Sequence, residues 1–352
     1  MSDYVDEMGE DSAEVSDMHY AKGVMTIVYI VVFLTGTPGN LWIIFKLIQA
    51  KLLSTASTGL RTSQRCRIYV FALACSDLAL LLTLPLTASY NYKGTWIFGE
   101  FMCYAHLTIE IVAKLFSVVL LTVMSLERYF IVCTRLRSAC DSWMTSVPLV
   151  VGTLFCVVVP STFHFLFIIH HQFTIPGMEH ITVCIPNMDD HVFNMYAQYT
   201  FVVGFVVPFF LMTVCYILLV RHVRAKFKSR KVAVSSPKAF REPRYMNEMR
   251  KSIWRIAIFH FVCWAPFWAF AIVPHYISQF LGHAFLEKLP GCGIHVKLES
   301  FRYIYCRLFA NCLPYINAAG NWVLYAVLNN DVRRHIYTRP HQRFHLLSLS
   351  TV

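Results

Sequence analysis

The sequence predicts an all-α membrane protein: a seven-transmembrane helix bundle with a short amphipathic eighth helix. The first observation is composition. The chain is 57% hydrophobic and only 14% charged, too apolar for an ordinary soluble domain. The second is charge spacing. No Asp, Glu, Lys or Arg occurs between Lys22 and Lys46, Asp141 and Glu179, Asp190 and Arg221, Arg255 and Glu287, or Arg307 and Asp331. Each gap exceeds the ~20 residues that cross a bilayer as a helix. The third is a pair of further apolar segments. Ile68 to Tyr92 holds only Asp77, and Phe101 to Leu126 holds only Glu110 and Lys114. Backbone groups in lipid must be bonded within the segment, so all seven are expected as helices. Buried helices of a large soluble protein would not run to these lengths.

Orientation follows from the basic residues. With the N-terminus outside, the inner segments 46–67, 127–145, 221–255 and 326–352 carry 24 of the 31 Lys and Arg residues and have a net charge of +19. The outer segments have a net charge of −7. This is the positive-inside pattern. The chain's overall charge of +11 is therefore a topology signal, and no nucleic-acid partner is implied. The expected organisation is an acidic extracellular tail over 1–22, a seven-helix membrane domain over 23–337, and a cytoplasmic tail over 338–352. Residues 1–21 contain seven acids and no Lys or Arg, so a cleavable signal peptide is not expected, and the first span serves as its own insertion signal. The basic loop "RAKFKSRKVAVSSPKAFREPR" suits an anionic lipid surface or a docking partner equally well. The twelve cysteines lack the spacing of a zinc site. Cys103 and Cys184 both fall on the outer side, where disulfides persist.

Ionisable groups inside a membrane are costly and are candidates for function. Asp77 lies in the middle of "LACSDLALLL", and Ser117, Asn317 and Asn321 in the middle of other spans. Together they offer oxygen donors to a small hard cation, or a neutral hydrogen-bond network. Glu110 and Lys114 stand four apart, in the favourable order for an ion pair. They either neutralise each other or leave Glu110 to meet a cationic ligand group, which the acidic outer surface would steer inward. In "FHFVCWAPFW", Pro266 cannot donate its backbone bond and should kink the helix, with Trp264 below the kink.

These residues, in this order over seven spans, resemble the rhodopsin-like (class A) G-protein-coupled receptors. Gly39-Asn40 matches the first-span GN. "LACSDLALLLTLPL" matches the second-span pattern, with Pro85 as its proline. Trp96 and Gly99 match the first outer loop, and Glu127-Arg128-Tyr129 is an ERY form of the DRY switch. Pro208 and Tyr216 match the fifth span, Cys263-Trp264-Ala265-Pro266 the CWxP, and Asn321 to Tyr325 the seventh-span NPxxY. "LTLPL", "TWIFGEFMC" and "LPYINAAGNWVLYAVLNNDVRR" look like the somatostatin, galanin and opioid branch, and like invertebrate neuropeptide receptors of that branch.

The resemblance implies a plasma-membrane receptor for an extracellular, basic neuropeptide, with a Cys103–Cys184 disulfide. The implied ligand contacts are Glu110, Lys114, Phe267, Arg307, Asn311 and Tyr315. Asp77, Ser117, Asn317 and Asn321 are the implied site of an allosteric Na⁺, with no other cofactor. The implied G-protein switch is Glu127, Arg128, Tyr129, Tyr216, Trp264, Pro266 and Tyr325. Partners would be the peptide, the bilayer, a heterotrimeric G protein (Gi/o by analogy), arrestin, and a PDZ protein at the ending Ser350-Thr351-Val352. Retinal and monoamine receptors fit less well: Tyr315 stands where opsins carry lysine, and Thr200 and Gly204 where amine receptors carry serines. An enzyme is not supported, and without an inverted repeat neither is a transporter. Some positions depart from the pattern. Trp322 replaces the NPxxY proline, His260 an aromatic below Trp264, and Met246 an acid that pairs with the switch arginine in some relatives. These leave a second reading open: a chemosensory or scavenger receptor of the same fold with weak G-protein signalling.

Overall fold

The computed structural model describes residues 2–49, 61–133, 143–166, 168–173, 181–186, 189–233, 254–272 and 301–326. The expected eighth helix, the C-terminal ending, Met246, and the side chains of Arg128 and Tyr325 lie outside the described residues. In chain order the helices are α1 (Ser2–Gln49), α2 (Arg61–Leu82), α3 (Leu84–Lys93), α4 (Gly99–Cys133), α5 (Trp143–Leu166), α6 (Asp190–Phe201), α7 (Val207–Ala233), α8 (Trp254–Ile272) and α9 (Phe301–Ala326). They make seven rods, because α2 with α3 and α6 with α7 are each one span with an interruption. Five stretches among the described residues are long and apolar enough to cross a bilayer: His19–Gln49, Ile68–Lys93, Gly99–Glu127, His191–Ala225 and Trp254–Ile272. The acidic segment before the span is helical and forms the first part of α1, with the apolar stretch starting at His19.

Both interruptions have a proline behind them. In "LTLPL" the helix breaks for one residue at Thr83, whose hydroxyl donates to Leu80 O at 2.7 Å. Pro85 has no N–H for the ladder, and the chain restarts as α3 with the proline in its first turn. Between α6 and α7 the turn widens into a π-helix over Val202–Val206, just before Pro208. The missing proline donor is absorbed in a wider turn. Gly204 lies in this turn and faces Leu115 and Trp268, where a Cβ would sit 3.1 and 3.6 Å away.

One segment departs from the all-helical expectation. Ile168–Phe173 (β1) and Ile181–Pro186 (β2) pair antiparallel, with His170 opposite Cys184. Both strands are rich in β-branched and aromatic residues. They follow α5, beyond the apolar run, and an open sheet edge needs water. The Cys103–Cys184 disulfide ties the hairpin to the start of α4. Trp96 N donates to Thr182 O at 2.8 Å, and its indole Nε1 donates to Gly99 O at 2.8 Å. Trp96, Cys103, Ile168 and Cys184 form a buried cluster at this end of the bundle.

Helix α4 packs against α2, α5 and α7, and α1 against α2, α3 and α9. Lipid gives apolar helices little reason to associate, so close approach and interhelical hydrogen bonds have to hold them. The α1–α9 seam shows both. Asn40 Nδ2 donates to Gly36 O at 3.0 Å and across the seam to Ala318 O at 3.2 Å. A Cβ on Gly36 would come within 2.7 Å of the Ala319 Cβ. A Cβ on Gly39 would come within 2.3 Å of the Trp322 ring. The indole that stands in place of proline is thus seated over the glycine of the first-span GN.

Candidate functional site

The bundle holds two polar groups of residues with aromatic rings between them. The first is nearer the hairpin. His106, Glu110 and Lys114 stand four apart and form one stripe along α4. Lys114 Nζ is ion-paired with Glu110 Oε1. Glu110 Oε2 lies 3.7 Å from His106 Nε2. The lysine ammonium is 5.0 Å from the centroid of the Tyr315 ring on α9 and 5.6 Å from that of Phe267 on α8. Both are within cation–π range. The Tyr315 hydroxyl faces Glu110 and Thr87. Of the two alternatives for Glu110, this structure forms the internal pair. Asn311 and Arg307 are exposed on α9, one and two turns before Tyr315.

The second group surrounds Asp77, which is 2% exposed. Asn321 Nδ2 donates to Asp77 Oδ2 at 2.9 Å, and Ser117 Oγ reaches Asp77 Oδ1 at 3.5 Å. Ser117 is also 3.0 Å from Ser76 Oγ, whose hydroxyl reaches Ala113 O at 3.0 Å. The fourth expected member behaves differently. Asn317 Oδ1 is 3.3 Å from His260 Nδ1, and His260 is fully buried. Thus Asp77, Ser117 and Asn321 share direct contacts, while Asn317 is joined to the histidine that replaces an aromatic. Buried polar atoms normally find partners. Asn321 Oδ1, Asn317 Nδ2 and His260 Nε2 have none among the described residues.

Rings connect the two groups. Phe267 meets Trp264 edge-on at 5.5 Å, and Trp264 stacks on His260 at 5.5 Å. Pro266 lies inside α8 between them in sequence. Towards the opposite end of the bundle, Glu127 is buried and Tyr129 packs on Phe130 at 5.5 Å. Tyr216 on α7 stacks on Trp254 at the start of α8, with centroids 4.0 Å apart.

Four features escaped the sequence reading. His106 could have been found, since 106, 110 and 114 share one helical stripe. The pairings of His260 with Asn317, Tyr216 with Trp254 and Gly39 with Trp322 each join separate helices, and no spacing along the chain signals them.

Among the described residues, seven helical rods, five of them with a stretch long and apolar enough to cross a bilayer, surround an internal line of charge and aromatic rings, an arrangement that fits a multi-pass membrane receptor. The description "7 transmembrane receptor (rhodopsin family)" matches residues 39–325, and the chain belongs to this family, the class A G-protein-coupled receptors. These are receptors of the plasma membrane rather than enzymes. Over 331 residues the chain is 28% identical to a probable G-protein coupled receptor of Caenorhabditis elegans, covering 90% of this chain and 68% of that one. It is 24% identical to neuropeptide receptor 18 of the same organism, covering 90% of this chain and 66% of the relative. Somatostatin receptor type 2 of Mus musculus is 25% identical over 314 residues, covering 89% and 76%. The chain thus spans about two thirds of the length of the two nematode relatives.

Proposed function

We propose that the chain is a receptor for an extracellular, basic peptide, with its N-terminus outside, and that it passes binding to a heterotrimeric G protein of the Gi/o class. Relatives named as neuropeptide and somatostatin receptors support the ligand class, and the basic inner segments support the orientation. One observation carries the reading: a line of contacts runs from the outer charged pair to Asn317, one helical turn from the buried carboxylate group. Lys114 touches Phe267, Phe267 touches Trp264, Trp264 stacks on His260, and His260 meets Asn317, one turn from the Asn321 that holds Asp77.

A peptide seated at Glu110, Phe267, Arg307 and Asn311 would press on the top of this line. Its differential affinity for two packings of the bundle would shift their populations. Helix α8 would swing at Pro266, part Tyr216 from Trp254, and free Arg128 for the G protein. Tyr216 and Tyr325 would then hold the open state. Asp77, Ser117 and the unpartnered Asn321 Oδ1 are a donor set of hard oxygens that suits Na⁺. A bound Na⁺ would supply positive charge to the carboxylate and favour the closed packing. Asn317 belongs to this set only when it leaves His260. The seat of Trp322 over Gly39 favours a working switch over the poorly signalling alternative, because the packing is built around the indole.

The test is nucleotide exchange on a co-expressed Gi/o protein during a peptide-library screen. Stimulated exchange by one or more peptides is expected. A receptor at normal surface level that no peptide stimulates would overturn the reading.

A further inference from the structure

The internal ion pair changes what the outer charged group can accept. An ammonium beside a carboxylate and over two aromatic faces is how a cavity of this composition would hold a cationic ligand. Here that ammonium belongs to the receptor. Lys114 Nζ is paired with Glu110 and lies within cation–π reach of both Tyr315 and Phe267. Its side chain is 12% exposed, and that of Glu110 is 20% exposed. On the far side of the carboxylate stands His106, itself packed on Trp96 at 5.4 Å between ring centroids. The charges of the pair cancel each other. A lone cation arriving at Glu110 either displaces Lys114 or shares the carboxylate with it through Oε2, and both leave one positive charge uncompensated in a mostly buried site, which is strongly unfavourable.

We propose that Lys114 is a built-in occupant of the cation subsite, so that the ligand group read at Glu110 must bring both a cation for Glu110 and a carboxylate for Lys114. The inference rests on this charged group being the ligand site. The exchange balances: one buried pair becomes two, and no charge is left over. The lysine can make it because its ammonium is a compact charge on a flexible stem with three rotatable donors. A peptide can therefore be basic overall, as the outer surface favours, while the group it inserts here is net neutral. Lys114 then sets specificity by excluding singly charged cations.

Two measurements on the purified full-length receptor test this. The first is chemical rescue. Lys114→Ala removes the occupant and leaves Glu110 and the Tyr315 and Phe267 rings without the ammonium they share. Propylammonium should raise the thermal midpoint of this variant, against a matched sodium salt. It should leave the unmutated receptor and Glu110→Gln/Lys114→Ala unmoved. The second needs no destabilised variant. N-acetylarginine carries a guanidinium and a carboxylate, and N-acetylargininamide carries only the guanidinium. Thermal stabilisation of the unmutated receptor should need about tenfold or more of the amide, the ratio expected from one lost charge-assisted contact. The order should reverse in Lys114→Met. Equal potency of the two probes on the unmutated receptor, or no shift from either, overturns the proposal. So does propylammonium acting equally with and without Glu110. Peptide-stimulated nucleotide exchange is read separately. A receptor that responds to peptide but fails these tests loses only this inference, and one that passes them but answers no peptide loses only the peptide reading.

Discussion

Gly39→Ala tests how the tryptophan at the proline position is accommodated. The added Cβ would fall 2.3 Å from Cε2 and Nε1 of Trp322 and 2.4 Å from its Cδ1. Carbon atoms pack comfortably at about 3.5–4.0 Å, so the indole must retreat by roughly 1.2–1.7 Å. The ring is rigid, and it is packed against a cluster that includes Ile43, Leu47 and Tyr69, all at most 1% exposed. Overpacking of this kind costs ~1–3 kcal/mol, and a clash with three ring atoms at once belongs in the upper half of that range. Alanine returns up to ~1 kcal/mol of helix propensity in place of glycine. The clash is the larger effect, and a net loss of about 1–2 kcal/mol is expected. Trp322→Ala opens a void instead and should cost more, about 3–5 kcal/mol. The double variant puts a methyl group into that void, so its loss should be clearly smaller than the sum of the two single losses. Thermal unfolding of the four detergent-purified proteins gives the cycle. An unchanged midpoint for Gly39→Ala, or strictly additive losses, would refute the seat.

Four further outcomes are expected. Trp322→Pro should lower peptide-stimulated nucleotide exchange at matched surface expression, because proline leaves the space over Gly39 unfilled and introduces a bend; higher stimulated activity would mean the tryptophan restrains the switch. Glu110→Gln should destabilise the receptor by ~1–3 kcal/mol, less than a fully buried orphan charge, because the Lys114 side chain is 12% exposed; Glu110→Gln/Lys114→Met should recover most of that midpoint, and a double variant as unstable as the single would rule out the pair as the cause. In the unmutated receptor Na⁺ should lower agonist affinity relative to K⁺, and Asp77→Asn should abolish the difference; indifference to the two ions in radioligand binding would remove the cation role. Cys103→Ser and Cys184→Ser should each reduce surface expression or ligand affinity to the same extent, since either one releases the hairpin from α4; unequal effects would point to a role beyond the bridge.

The sequence by itself determined the architecture. Runs with few or no charges, each longer than a bilayer's width, leave helices as the one local solution, and the uneven Lys and Arg content supports the proposed orientation. Local chemistry also set the i, i+4 order of Glu110 and Lys114, because a helical repeat acts within a few residues; Pro85 and Pro208 stood in the sequence as motif prolines, and the interruptions beside them are seen only in the structure. The hairpin was less legible, since its strands are short and gain their stability from a distant cysteine and from Trp96. Only the tertiary structure decided the rest. Glu110 could be read as free for a ligand or as neutralised, and the outcome depends on Tyr315 and Phe267, which arrive from α9 and α8 to hold Lys114 beside it. Asn317 belonged with Asp77 by motif, but His260 reaches it across the bundle. Trp322 reads in isolation as the loss of a kink. Its role appears when α1 brings Gly39 beneath it, because whether a large ring fits is settled by the shape of the neighbouring helix and not by the residues beside it in the chain.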